Sequence, residues 1–313
     1  MTASRASPPL CQGRVVASHG RDATVADDAG VRVHCRLQGR RLAVVCGDRV
    51  RWSPARTEGG GGVIREVLPR QSLLSRVDAR GGAEPVAANL TQLVAVVAPV
   101  PAPDFGLCDR YLAAAEWNGL AACIVANKQD LADAVAVLEP VLADYSRIGY
   151  AVVRASKRLE GGVDALRERL AGETSVLVGQ SGVGKSSLTN ALVPGVEAAV
   201  DEVTRASETG RHVTTTASLY ALPSGGELID SPGVRDFAPP LPPAREVAGG
   251  FREIAALAPD CRFRDCLHGR EPGCAIAAAA ETGLVSPRRL ASYLRLLDLA
   301  AQMASRARPR VRR

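Results

Sequence analysis

The rhythm of apolar and polar positions changes twice along this 313-residue chain. Between Gly13 and about Leu74, short β-rich runs (Arg14 to Ala17, Ala23 to Ala26, Val31 to Arg36, Asp48 to Trp52 and Gly62 to Val67) alternate with turn residues and a glycine loop at Gly59 to Gly62. Short strands at this spacing predict a small all-β barrel of the oligonucleotide-binding (OB) type. From Leu90 onward the pattern becomes apolar runs alternating with helical stretches. Strands are predicted at Leu93 to Ala98, Ala122 to Ala126, Ala151 to Ala155, Ser175 to Val178, Ser218 to Leu222 and Glu227 to Ile229. Helices are predicted at Leu107 to Trp117, Ala134 to Ser146, Val163 to Leu170 and Lys185 to Leu192. That alternation predicts an α/β domain with a parallel sheet.

Pro239-Pro240-Leu241-Pro242-Pro243 ends the second rhythm, since such a run continues neither a helix nor a central strand. Beyond it the spacing predicts a helix over about Pro287 to Met303, with Leu290, Tyr293, Leu294, Leu297 and Ala301 on one face. The expected division is a barrel at residues 1–77, an α/β domain at 78–238 and a C-terminal domain with a basic tail at 239–313.

Four segments of the α/β region carry chemistry. Val176-Leu177-Val178 runs into Gly179-Gln180-Ser181-Gly182-Val183-Gly184-Lys185-Ser186-Ser187 and an apolar helix, which is the context of a phosphate-binding loop. Its glycines let backbone N–H groups converge on phosphates at a helix N-terminus. Lys185 is expected to reach the β- and γ-phosphates, and the Ser186 hydroxyl to ligate Mg²⁺. Asp230, in Ile229-Asp230-Ser231-Pro232-Gly233, is expected to hold Mg²⁺ through water, with the Gly233 amide sensing the γ-phosphate. Between the two lies Gly210-Arg211-His212-Val213-Thr214-Thr215-Thr216, a switch segment supplying a Mg²⁺-ligating threonine. Val234 stands where Ras-like enzymes carry the glutamine that orients water. His212 is the nearest candidate for that task, and a surface histidine on a loop is the equally good plain reading.

Asn127-Lys128-Gln129-Asp130 follows the strand ending at Ala126. A carboxylate there accepts both guanine donors, N1–H and the exocyclic amine, a pair that adenine lacks, and a buried acceptor left unpaired rejects the wrong base. Taken alone, the four residues also suit a helix N-cap. Lys128 is expected along the base plane, and Ser156 in the final guanine-contacting loop. The order is unusual, because the guanine-reading segment precedes the phosphate loop. If both bind one nucleotide, the domain is circularly permuted.

Composition sharpens this reading. Only three lysines, Lys128, Lys157 and Lys185, stand against thirty-six arginines, and two of the three lie inside nucleotide motifs, where a compact ammonium and a planar guanidinium are not interchangeable. The net charge of +6 is concentrated in residues 1–57 and in Arg306 to Arg313, leaving a mildly acidic middle. Basic ends point to a polyanionic partner, and Arg32, Arg36, Arg49 and Arg51 interleaved with the barrel strands suit RNA. Of eight cysteines, only Cys261, Cys266 and Cys274 cluster. With His268 they form a Cys3His set suited to tetrahedral Zn²⁺. The chain has no signal-peptide core near Met1 and no apolar run of the roughly 18 residues that span a membrane, so a cytoplasmic protein without a membrane partner is expected.

The segments GQSGVGKSS (179–187), IDSPGVRDF (229–237) and CRFRDCLHGREPGCAI (261–276), together with the barrel and the permuted order, resemble the ribosome small-subunit-dependent GTPase A family (RsgA, also called YjeQ). The resemblance implies hydrolysis of GTP to GDP stimulated by the small ribosomal subunit, and a role in late small-subunit (30S) maturation through rRNA binding. It also implies one structural Zn²⁺ on Cys261, Cys266, His268 and Cys274, and Mg²⁺ with GTP; a monomer is expected. Val213 departs from the family pattern and leaves open which of Thr214 and Thr215 ligates Mg²⁺, and Arg154-Ala155-Ser156-Lys157 matches the guanine-loop pattern loosely. A nucleotide-gated RNA-binding protein with incidental hydrolysis is the alternative that Val234 favours. An ATP-using P-loop kinase is disfavoured by Asp130.

Overall fold

The computed structural model describes residues 10–55, 61–78, 81–195, 217–231, 238–269 and 271–307. Its contacts divide the chain into two units: residues 1–91, 170–176 and 189–235 belong to the first, and residues 92–169, 177–188 and 236–313 to the second. In chain order the strands are β1 (Cys11–His19), β2 (Asp22–Ala26), β3 (Arg32–Leu37), β4 (Arg49–Pro54), β5 (Gly62–Val67), β6 (Leu73–Val77), β7 (Ala83–Ala88), β8 (Gln92–Val97), β9 (Ala121–Ala126), β10 (Ala151–Arg154), β11 (Thr174–Val178), β12 (Ala217–Ala221) and β13 (Glu227–Asp230).

In the first unit β1 to β5 pair in the order β1-β2-β3-β5-β4, and β4 returns to β1. Only the β3–β5 pairing is parallel. This closes a five-stranded barrel of the OB kind. Inward positions of the alternating strands fill it: Val15, Ala23, Val25, Cys35, Val50 and Ile64 are fully buried around Trp52. Register shifts between Val15 and Ala17 and between Arg51 and Trp52 supply the extra twist that closure needs. At Gly62 a Cβ would lie 2.6 Å from the Trp52 ring and 2.7 Å from Cys35 Sγ, so glycine lets the strands approach. Buried Asp48 accepts the Val45 N–H at 2.8 Å and a bidentate pair from Arg70 at 2.7 and 2.8 Å, anchoring the exit from the barrel.

The far end of β1 leaves the barrel and pairs with β12, which pairs with β13, which runs parallel to β11. Arg14 of β1 donates to Glu227 of β13, and Thr174 Oγ1 of β11 donates to the same carboxylate at 2.8 Å. The antiparallel hairpin β6–β7 also belongs to this unit. The expected boundary between residues 77 and 78 falls between its two strands.

In the second unit β8, β9 and β10 form a parallel sheet with β9 central. Every residue of β8 is buried, as suits a parallel strand covered on both faces. The helices are α1 (Phe105–Trp117), α2 (Ala132–Val135), α3 (Glu139–Ile148), α4 (Asp164–Leu170) and α5 (Lys185–Leu192), followed by α6 (Arg252–Leu257), α7 (Ala275–Glu281) and α8 (Pro287–Ala307). Asp104 caps α1 by accepting the Leu107 N–H at 2.9 Å. The single helix expected over Ala134 to Ser146 is two. Pro140 sits in the first turn of α3, where its missing N–H costs nothing, whereas within a continuous helix it would break the backbone ladder.

After the proline-rich segment, α6 and α8 pack with a 3-10 turn at Ala244–Gly250 around Val247, Phe251, Ile254, Val285 and Tyr293. The buried stripe of α8 runs through Arg289, Tyr293, Leu296 and Ala300, with Leu290, Leu294 and Leu297 partly buried beside it. Ala301, expected on that face, is exposed. Among the described residues no helix is long and apolar enough to cross a membrane.

Candidate nucleotide site and metal centre

The segment Asn127 to Asp130 leaves the C-terminal end of β9, where open α/β sheets place ligands. Asn127 is buried; its backbone N–H bonds Val97 O at 2.8 Å and its Nδ2 donates to Val183 O at 2.9 Å. That amide ties the segment to the phosphate loop. Lys128 has φ +62°, a left-handed conformation that costs a non-glycine residue about 1–2 kcal/mol. Its ammonium is held by Val100 O at 2.7 Å and Gly182 O at 2.8 Å. Gln129 Nε2 donates to Ala126 O at 3.1 Å. The next residue, Asp130, accepts the Ser156 hydroxyl at 2.5 Å through Oδ1 and the Arg158 guanidinium at 3.3 Å through Oδ2. The Ser156 hydroxyl foremost, with Arg158 adding to it, holds the carboxyl below the usual aspartate range, so it is an ionised acceptor at neutral pH.

The phosphate loop turns on glycines that nothing larger replaces. Gly179 has φ +149°, and a Cβ there would lie 2.3 Å from Val96 O. Gly184 has φ +99°, and a Cβ would lie 2.4 Å from Asn127 Nδ2. Gln180 Oε1 accepts the Asp104 N–H at 3.1 Å, Gly182 has φ +81°, and Val183 is buried, while Ser181 and Ser186 are exposed. Lys185 opens α5 and is 7% exposed. Its ammonium folds onto the loop's own carbonyls, Gly179 O at 2.6 Å and Gln180 O at 2.9 Å.

These pieces meet in one cavity of about 280 Å³. Asn127, Lys128 and Asp130 line it, with Ser156, Lys157 and Arg158 from the loop after β10 and Gly184 and Ser187 from the phosphate loop. Two of the three lysines are therefore in its wall, and the third is the neighbour of Gly184. Sequence reasoning passed over Arg158 and Lys157 as site residues; their position directly after Ser156 was the available signal. Asp230 ends β13 opposite Ser218 of β12. His212, Thr214, Thr215 and Gly233 lie outside the described residues.

In the C-terminal region Cys261, Cys266, His268 and Cys274 present ligand atoms all within 4.8 Å of one another. His268 Nδ1 lies 3.4 Å from Cys261 Sγ and 3.7 Å from Cys274 Sγ. A tetrahedral ion with bonds of about 2.0–2.3 Å spaces nitrogen and sulfur ligands by about 3.5 Å, so the donor set fits a metal ion. His268 and Cys274 are buried, and His268 reaches the cluster through a left-handed backbone, φ +58°. Glu271 accepts the Leu267 and Gly269 N–H groups at 3.0 and 2.8 Å, and Tyr293 donates to Leu267 O at 2.8 Å, fixing that turn. Burial lowers the pKa of His268, favouring the neutral ring that ligates. Burial, with the Cys274 and Cys261 sulfurs adding to it, pushes the Cys266 thiol up to about 12.

A parallel α/β sheet whose one cavity joins a phosphate loop to an NKQD segment in reversed chain order, in a chain that also carries an OB barrel, defines a circularly permuted P-loop GTPase. The family model described as RsgA GTPase matches residues 67–239. The protein of Azotobacter vinelandii called small ribosomal subunit biogenesis GTPase RsgA is 46% identical over 295 residues, covering 92% of this chain and 85% of that one. The protein of the same name from Chromohalobacter salexigens is 47% identical over 291 residues, covering 91% and 85%. Among solved structures, YjeQ from Thermotoga maritima superposes with a TM-score of 0.74 at 31% identity, covering 94% of this chain and 99% of that one. YloQ, described as a circularly permuted GTPase, superposes with 0.72 at 26% identity, covering 96% and 98%. The chain belongs to the RsgA GTPase family and is a GTP-hydrolysing enzyme.

Proposed function

We propose that this protein couples GTP hydrolysis to late maturation of the small ribosomal subunit, docking on its rRNA. The observation that carries the reading is the cavity shared by Asn127, Lys128, Asp130, Ser156 and the phosphate loop. Together with the relatives' name, small ribosomal subunit biogenesis GTPase, it supports a guanine site whose state is read by the subunit.

In this reading Asp130 accepts the two guanine donors, Lys128 runs along the base, and Gln129 and Ser156 hold the reading loops. Backbone amides from Gly179 to Ser187 cradle the phosphates, and Lys185 exchanges its carbonyl partners for phosphate oxygens. Ser186, Asp230 and either Thr214 or Thr215 would hold the Mg²⁺ that accompanies GTP and offsets charge on the transferring phosphate. The Gly233 amide senses the γ-phosphate. His212 orients the attacking water where Val234 has no side chain able to do so. Cys261, Cys266, His268 and Cys274 would hold one Zn²⁺ as a closed structural site, since four protein ligands leave no open position. The division into residues 1–77, 78–238 and 239–313 then separates RNA contact, nucleotide chemistry and the zinc region. The protein works in the cytoplasm as a monomer, with no membrane partner. Incidental hydrolysis behind gated RNA binding is not favoured, because the relatives are named for the GTPase activity.

Steady-state GTP turnover with separated ribosomal subunits tests the proposal. Purified small subunits should raise the rate several-fold and large subunits should not. Equal rates with either would remove the subunit from the reading.

A further inference from the structure

Asp130 is described above by what it can accept; its own surroundings carry a second message. A carboxylate has about four acceptor positions, two on each oxygen. The Ser156 hydroxyl occupies one on Oδ1 at 2.5 Å, and the Arg158 guanidinium one on Oδ2 at 3.3 Å. The Asp130 backbone N–H also bonds the carboxylate; with one side-chain partner on each oxygen, acceptor room remains for guanine, which offers two adjacent donors. Arg158 is itself placed by Ser156, whose Oγ accepts the Arg158 backbone N–H at 3.2 Å. Serine, aspartate and arginine thus brace one another at the wall of the cavity, with Arg158 lining it directly.

We infer that Arg158 is a positioning residue for base choice: it holds Oδ2 of Asp130 from the outer side, so that both carboxylate oxygens face the two donors of guanine together. Without it the carboxylate keeps one side-chain anchor, on Oδ1, beside its own backbone N–H, and turns more freely about its Cβ–Cγ bond. Recognition of N1–H survives on either oxygen; simultaneous capture of the exocyclic amine does not. Base discrimination, more than phosphate affinity, depends on this guanidinium. The inference rests on the guanine reading proposed above for Asp130.

The test compares binding of GDP and of inosine diphosphate, which keeps N1–H and lacks the amine, to the full-length protein and its variants. Arg158→Ala should weaken GDP about three- to fivefold, the scale of a partly exposed ion pair, and leave inosine diphosphate nearly unchanged, so that the ratio of the two affinities shrinks. Arg158→Lys, which keeps a cation, should restore most of the ratio. In an Asp130→Asn background, Arg158→Ala should add nothing further. Equal weakening of both nucleotides would overturn the inference and make Arg158 a stacking or phosphate contact, and an unchanged ratio would overturn it outright. If Asp130→Asn itself leaves GDP binding intact, the guanine reading of the site fails, which the Arg158 variants alone would not show.

Discussion

In the proposed reading, base choice turns on Asp130. It is an ionised acceptor held by Ser156 and Arg158, and Asp130→Asn replaces one acceptor with an amine donor. That donor suits the carbonyl of xanthine and leaves the guanine amine unpaired in a partly desolvated site. GTP affinity should fall by about a hundredfold or more, with a gain for XTP, measured by competition against a fluorescent nucleotide. Unchanged GTP affinity would show that the reversed segments do not share one nucleotide. At this scale the site was largely legible, because Asn127 to Asp130 and Gly179 to Ser187 carry their chemistry in contiguous residues. Arg158 was not, since an arginine after a loosely matching loop resembles any solvated charge until the fold brings it to Asp130.

Among the elements, the strongest constraint is a buried charge network that joins α1, α3, α6 and α8. Arg289 and Asp109 are both fully buried and 2.9 Å apart; Arg289 also grips Glu253 at 2.6 and 3.0 Å and lies over the Phe251 ring. Arg288 reaches the other Asp109 oxygen at 2.7 Å, and Tyr145 donates to Asp109 at 2.6 Å. Removing one partner strands the others, so Arg289→Ala should cost about 3–5 kcal/mol, read as a lower denaturation midpoint. Replacing Arg289, Asp109 and Glu253 together with apolar residues should cost less than that single change. A loss under about 1 kcal/mol for Arg289→Ala would mean that the network relaxes without it. The sequence pattern gave no hint of this. Two successive arginines in the first turn of a helix look solvent-facing, and the partners of Arg289 lie far away in the chain.

The same region carries the Cys3His cluster, whose four candidate ligand atoms lie within 4.8 Å of one another. Cys266→Ser should release zinc and loosen mainly residues 245–300, seen by elemental analysis and by hydrogen exchange confined to α6, α7 and α8. Protein purified without chelators and found free of zinc would contradict the zinc assignment. Strand positions in the barrel followed directly from alternation and turn residues. The hairpin β6–β7 escaped because its second strand, Ala83–Ala88, holds a proline and three alanines around a single β-branched residue, Val86.

For the molecule as a whole, the informative quantity is the distribution of charge. Basic ends flank a mildly acidic nucleotide region, so contacts with phosphates of a large RNA should release counterions and make docking steeply dependent on salt. A γ-phosphate favours the docked state only through contacts that GDP cannot make. Nucleotide state and subunit binding are then linked, and each must shift the other. Co-sedimentation of the full chain with separated ribosomal subunits, with GDP or a non-hydrolysable GTP analogue and across a salt series, tests that linkage most directly. The account predicts retention on the small subunit with the analogue, release with GDP, and loss of binding as salt rises. Equal retention with both nucleotides, or a preference for the large subunit, would contradict it.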